Sequence, residues 1–333
     1  KEVHPGDTIT DADHPASEPM PGYVETRPMV FAGIYPVNPK DLPQLRDTIQ
    51  KLNLNDSSFV FENDNSASFG FGFRCGFLGL LHMEIIQERL EREYDLEIVV
   101  TSPSVVYQVE TSTGEIIDID NPSKFPVTTQ IKRVLEPYVE AHIIVPKDGI
   151  GPIMEICEKR RGKYLSTEFI DNMRVRIVYE LPLADIIVDF NDKIKSISKG
   201  YGSLDYELKG FRQENLVKVD FLLNAEPCEA LSIIAHRSEA PFRGREMALK
   251  LKDVIPRQMI DVAIQAVIGG KIIARETVRA LKKDVTAKCY GGDISRKRKL
   301  WEKQKEGKKR MKQFGHVSIP QEAFMTVLKR DKD

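Results

Sequence analysis

The sequence predicts an α+β protein: two successive βαββαβ modules in the ferredoxin-like arrangement, then a separate α+β C-terminal domain with a basic tail. Three observations predict it. Strand-period and helix-period apolar patterns occur in the order β-α-β-β-α-β twice, over residues 28–107 and 135–213. The repeat ends near Glu214. Residues 288–315 hold eleven Lys/Arg against three acids, in a chain of net charge −1.

Residues 1–27 open as the end of a strand and continue into a Pro- and acid-rich linker. With no initiator Met, the chain looks cut from something longer. The stretch 29–37 (MVFAGIYPV) alternates as a strand, and 39–54 has helical spacing through Leu42, Leu45, Ile49 and Leu52, with Asn38 or Asp41 as cap. Strands at 59–61 and 69–77 precede a helix at 78–94 whose apolar stripe is expected near Leu81, Ile85 and Leu90. A strand at 97–107 closes the first module. Residues 108–134 form a polar connector with a hairpin-like turn at Ser112, Thr113 and Gly114. The second module has a strand at 139–145, a helix at 149–161, a strand pair at 164–171 and 173–181, a helix at 184–198 and a last strand at 201–211.

The C-terminal domain, 214–333, is expected to hold a strand at 216–223, a short helix at 227–234 and a basic-edged helix at 245–255. Strands at 260–268 and 271–274, a helix at 276–283 and an apolar helical turn at 320–327 follow. Residues 271–315 carry about +11, so the remainder carries about −12. A dense cationic segment points to a polyanionic partner, and Tyr290, Trp301 and Phe314 offer faces for bases. A solvated tail is the competing reading.

The 41% apolar and 30% charged residues are those of a globular chain, with no run approaching the roughly 18 apolar residues of a membrane span. The four cysteines are far apart, which argues against a disulfide framework or zinc site and suits a reducing compartment. No phosphate loop, hydrolase elbow or metalloprotease motif occurs in the sequence. In the run from Gly70 to Gly79, Phe69, Phe71 and Phe73 alternate with glycines, so the run reads as a strand open to close backbone approach and not as a dinucleotide loop. His236, Arg237 and Ser238 beside Arg243, Gly244 and Arg245 are compatible with phosphate-contacting loop chemistry or with an ordinary basic loop. At 193–203, Lys195, Lys199 and Ser203 surround Gly200 and Gly202. That junction fits phosphate-binding cations and backbone donors as well as it fits a glycine-capped helix end.

Three stretches make the chain recognisable: GFGFRCGFLGLLHME from Gly70, SKGYGSLDY from Ser198, and the segment 287–313 containing KCYGGDISRKRK and GKKRMK. They closely resemble the LepA family of translational GTPases, relatives of elongation factor G, and the similarity runs essentially the length of the chain. The resemblance implies that residues 1–10 end a β-barrel domain, that the two modules are the third and fifth domains of such a factor, and that the last domain is special to the family. It implies ribosome, large-subunit rRNA and tRNA as partners. The last domain would reach toward the tRNA acceptor arm, and the loop at 195–203 would lie near rRNA. It also implies that GTP and Mg belong to an upstream G domain absent from this sequence. No catalytic residue, cofactor-binding residue, metal ligand or small-molecule substrate is therefore assigned here. Cytoplasmic location is implied, with peripheral association with the inner face of the cell membrane, or the mitochondrial matrix for an organellar member.

Arg237, Arg243, Arg245, Arg257, Lys271, Arg275, Lys288, Arg296, Lys297, Arg298, Lys308, Lys309 and Arg310 are the expected phosphate contacts of the last domain, with Tyr290 and Trp301 as stacking candidates. Elongation factor G itself is disfavoured because a connector of about 27 residues cannot hold the extra domain that separates its modules; domains rarely fall below about 50 residues. A BipA-type factor should carry a different C-terminal domain. The missing chemical motifs argue against a free-standing enzyme, and the lack of an apolar face on the tail argues against a membrane-surface protein.

Overall fold

Strand β1 (Val30–Pro36) is central in the first sheet of the computed structural model, which describes residues 7–18, 20, 28–66, 69–101, 103–281, 294, 295 and 297–303. After it the Asn38 side chain accepts the Lys40 N–H at 3.1 Å, starting a tight turn that leads into α1 (Leu42–Asn55). β2 (Val60–Ser66), β3 (Gly70–Phe77), α2 (Leu80–Arg92) and β4 (Ile98–Val100) follow. The sheet order β2-β3-β1-β4, with every pairing antiparallel, is that of a ferredoxin-like module. Ala32, Ile34, Phe73, Cys75 and Phe77 bury one sheet face against Leu45, Ile49 and Leu52 of α1 and Met83, Ile86 and Leu90 of α2. The α2 stripe thus lies one position round from the expected one. Leu90 is buried, but Leu81 and Ile85 are 70% and 47% exposed. Apolar residues surround this helix, so periodicity alone does not choose the face that packs. The closing strand is also shorter than expected, because Tyr107 belongs to the next sheet.

The opposite face of this sheet explains the glycines of β3. A Cβ on Gly72 would strike the Tyr35 ring and come within 2.6 Å of the Ile34 carbonyl oxygen, and one on Gly33 would come within 2.6 Å of the same ring. It is therefore a tyrosine side chain that lies over these glycines. Tyr35 donates its hydroxyl hydrogen to Asp64 at 2.8 Å.

In the second module β5 (Tyr107–Thr111) and β6 (Ile116–Ile119) form a hairpin through Gly114, which has φ +88°. Residues read as connector are thus partly sheet: β5 pairs with the start of β7 (Ile131–Pro146), burying Val109 and Ile119. Then come α3 (Ile150–Lys159), β8 (Lys163–Phe169), β9 (Arg174–Pro182), α4 (Leu183–Ile186), α5 (Phe190–Ile197) and β10 (Ser203–Glu214). β9 and β10 flank β7, and β8 lies outside β9, giving the ferredoxin-like order again. The helix expected at 184–198 is broken at Asp189, whose φ is +57°. Arg160 sits in the break, donating to the carbonyl of Asp185 and to Asp189 Oδ1 at 2.7 Å. Arg161 beside it forks onto Glu136 of β7 at 2.8 and 3.0 Å and reaches Asp185 Oδ2 at 2.7 Å. Arg74 of the first module meets Asp120 after β6 at 3.3 Å, and its guanidinium donates to Ser104 Oγ at 2.6 Å.

The chain divides into two compact units, with the first ending at Glu214 and the second beginning at Asn215. The second unit contains β11 (Leu216–Leu223), β12 (Glu226–Pro227), β13 (Ile233–His236), α6 (Ala240–Val254), β14 (Val262–Ile268) and β15 (Lys271–Val278). Its sheet has the order β12-β11-β14-β15, with β13 also on β11, and α6 packs against β14 and β15. Two expected helices are corrected. Residues 227–234 hold a strand end, a single 3-10 turn and the start of β13, while the 276–283 segment continues β15 to Val278 because β14 supplies a partner as far as Val262. Gly269 and Gly270, both at positive φ, make the two-residue turn between β14 and β15. Residues 297–303 are helical, and the turn expected at 320–327 lies outside the described residues.

Candidate nucleic-acid interface

The loop leaving α5 is a closed helix cap. Gly200 N–H donates to the Lys195 carbonyl at 2.7 Å and Lys199 N–H to that of Ser196 at 3.3 Å, with Lys199 itself at φ +55° and Gly200 at +89°. Tyr201 N–H donates to the Ser198 carbonyl at 3.1 Å, and Gly202 N–H to Ser198 Oγ at 2.6 Å. Four successive backbone donors are therefore used inside the loop. Of the two readings of this junction, the backbone takes that of the glycine-capped helix end. What the loop presents outward is side chains: Lys195, Lys199 and Ser203 are exposed, and neither lysine makes an ion pair with a described residue. Tyr201, two residues after Lys199, is 80% exposed. Sequence reasoning missed this residue because a tyrosine between two glycines carries no periodic signal.

In the second unit the cations divide between faces. A Cβ on Gly244 would lie 2.9 Å from Ile273 Cδ1 and 3.1 Å from Ala266 Cβ, so the stretch Arg243, Gly244, Arg245 is a helix pressed on a sheet and not a phosphate loop. Arg243 is paired with Glu239 at 3.0 Å, while Arg245 is exposed. Arg237 precedes α6 and Arg257 follows it, both exposed, and Lys271 is exposed beside the glycine turn. Ala274 pairs with Ala266 and shares the α6-facing side, as does Glu276, which meets Lys252 of α6 at 2.7 Å. Arg275 therefore projects from the opposite face of β15, and by the period of two Arg279 lies on that side too, a cation the sequence reading did not single out. His236 Nδ1 meets Ser238 Oγ at 2.7 Å in the turn entering α6.

Lys297 is half-buried and Arg298 and Trp301 are exposed, on the helical stretch 297–303. Lys288, Tyr290, Arg296, Lys308, Lys309 and Arg310 lie outside the described residues. Within the second unit Arg275 and Arg245 stand on opposite sides of one layer of sheet and helix, so these two described cations do not line one pocket. Among the described residues no cluster of His, Cys, Asp or Glu could hold a metal ion, and no helix is long and apolar enough to cross a membrane.

Residues 133–221 match the model of the elongation factor G C-terminus, and residues 223–329 match that of the GTP-binding protein LepA C-terminus. The chain is 57% identical over 331 residues, 99% of its length, to elongation factor 4 of Desulfitobacterium hafniense. The chain belongs to the LepA family. Elongation factor 4 of Acetivibrio thermocellus is 59% identical over 99% of the chain, and that of Sorangium cellulosum 56% identical over 98%. This LepA-family chain spans 54–55% of the length of these relatives. The two family matches meet at residues 221 and 223, within β11 and close to the division between the compact units at Glu214.

Proposed function

We propose that this chain is the ribosome- and tRNA-binding portion of a LepA-type translation factor, acting on elongating or stalled ribosomes. The observation that carries the proposal is the identity of 57% to an elongation factor 4 across 99% of the chain. Its mechanism is non-covalent: the two ferredoxin-like modules set geometry, and scattered exposed cations grip RNA backbones of the large subunit and of tRNA. GTP and Mg are used by a G domain of the complete protein, to which the first module transmits state through its glycine-rich sheet. The protein works in the cytoplasm, with peripheral contact at the membrane as a secondary location, and takes no small-molecule substrate in this portion.

The test is the salt dependence of ribosome binding by the full-length protein carrying Lys308→Ala, Lys309→Ala and Arg310→Ala together. Each lost phosphate contact should lower the log–log slope by roughly 0.7–0.9. An unchanged slope removes these residues from the interface.

A further inference from the structure

We propose that Tyr201 is a stacking platform for one unpaired RNA base, with Lys195 and Lys199 on the phosphates that flank it; this rests on the ribosome-binding reading above. The ring is 80% exposed, against 46% for Tyr164 and below 10% for Tyr35, Tyr107, Tyr138 and Tyr179 of the same unit. A tyrosine kept for packing buries its ring, and this one leaves most of its surface to solvent. It is nevertheless held in place. The amides from Lys199 to Gly202 all donate within the loop, and Ser198 Oγ closes it from beneath. Lys199 occupies the left-handed region at φ +55°, a conformation a lysine rarely adopts, so the turn is maintained with a cation at a position glycine would fill more easily.

This rigidity bears on binding. A base stacking on a side chain whose backbone is already fixed loses little further conformational freedom, and an aromatic face accepts any base. Lys195 and Lys199 are exposed without ion pairs to described residues, while the acid nearest the helix start, Asp189, is engaged by Arg160 and Lys193. The cations beside the ring are therefore available to an anion. The internal hydrogen bonds of the cap also satisfy the carbonyls of Lys195, Ser196 and Ser198, which would otherwise repel a phosphate at the negative end of a helix. A protein partner would be expected to use a larger apolar patch, and a lipid surface several inserted rings; here one exposed ring shares a short loop with two exposed lysines, the composition of a single-stranded RNA contact.

The experiment measures binding of full-length protein to ribosomes, with a non-hydrolysable GTP analogue, across a salt series, for wild type, Tyr201→Phe, Tyr201→Leu and the pair Lys195→Gln with Lys199→Asn. Asn tolerates the left-handed backbone. Tyr201→Phe should bind within about twofold of wild type, and Tyr201→Leu about fivefold or more weaker with the salt slope unchanged, as expected for a lost stack. The lysine pair should lower the slope by roughly 1.4–1.8. Chemical probing should show one base protected by wild type and Tyr201→Phe but not by Tyr201→Leu. Tyr201→Leu binding like wild type, or Tyr201→Phe losing as much as Tyr201→Leu, overturns the stacking role. Binding of wild type but not of Tyr201→Leu to phosphatidylglycerol vesicles, with ribosome binding insensitive to both tyrosine variants, assigns the loop to lipid and also overturns it. If wild type fails to bind ribosomes at all, the functional reading itself falls; if it binds and only the tyrosine variants are silent, the inference alone does.

Discussion

Arg161→Met should loosen the second module by about 3–5 kcal/mol, the cost of removing one partner of a buried ion pair. Arg161 bonds both oxygens of Glu136 at 2.8 and 3.0 Å and Asp185 Oδ2 at 2.7 Å, and each carboxylate side chain is only 1% exposed. Met fills much of the vacated volume, so the loss measures charge and not cavity. Hydrogen exchange of the β7 and β9 amides in the complete protein is the assay, because it reads local opening within a multidomain chain. Protection there should fall by about a hundredfold or more. The loss should also depend on pH. Burial pushes the Glu136 carboxyl above its ordinary value even against the hydrogen bonds from Arg161. Removing the guanidinium raises it further. Between the unfolded pKa and the raised folded one, the native state binds more protons, so native stability grows as pH falls through that window. The deficit relative to wild type is therefore largest on the alkaline side of that window and shrinks as pH falls through it. A deficit below about 1 kcal/mol, or one constant over that range, would refute the reasoning.

Gly72→Val should displace the Tyr35 ring, cost about 1–3 kcal/mol as an overpacked site and break the hydroxyl contact to Asp64. In the full-length protein it should also lower ribosome-stimulated GTP turnover, and unchanged turnover with β1 and β3 still protected from exchange would end the proposal that this sheet transmits nucleotide state. Gly244→Leu should lift α6 off Ile273 and Ala266 and loosen β15 by a similar amount, about 1–3 kcal/mol, seen as faster exchange confined to the second unit.

Much of the architecture was legible because alternating and helical apolar spacing survive in single segments such as β1, α1 and β9. What was not legible depended on partners far along the chain. β15 contains Arg275, Glu276 and Thr277, residues that suit a helix equally well, and only pairing with β14 makes the segment a strand. The turn at Ser112, Thr113 and Gly114 was legible, but its two strands were not, because buried Glu110 and Thr111 break the apolar alternation beside Val109 and Ile119 is the one buried residue of β6. The break between α4 and α5 is set by Arg160, more than twenty residues upstream. For the candidate interface, residue type singles out cations to test, but Gly244 looked like loop flexibility when it is a helix–sheet contact, and Tyr201 draws notice only through its exposure.

Ribosome binding by this chain as part of a nucleotide-switched factor can be measured by co-sedimentation of the full-length protein with ribosomes, with and without a non-hydrolysable GTP analogue. Retention on the ribosome should increase with the analogue and weaken as salt rises. Equal sedimentation with and without the analogue, or none in either case, rules that role out.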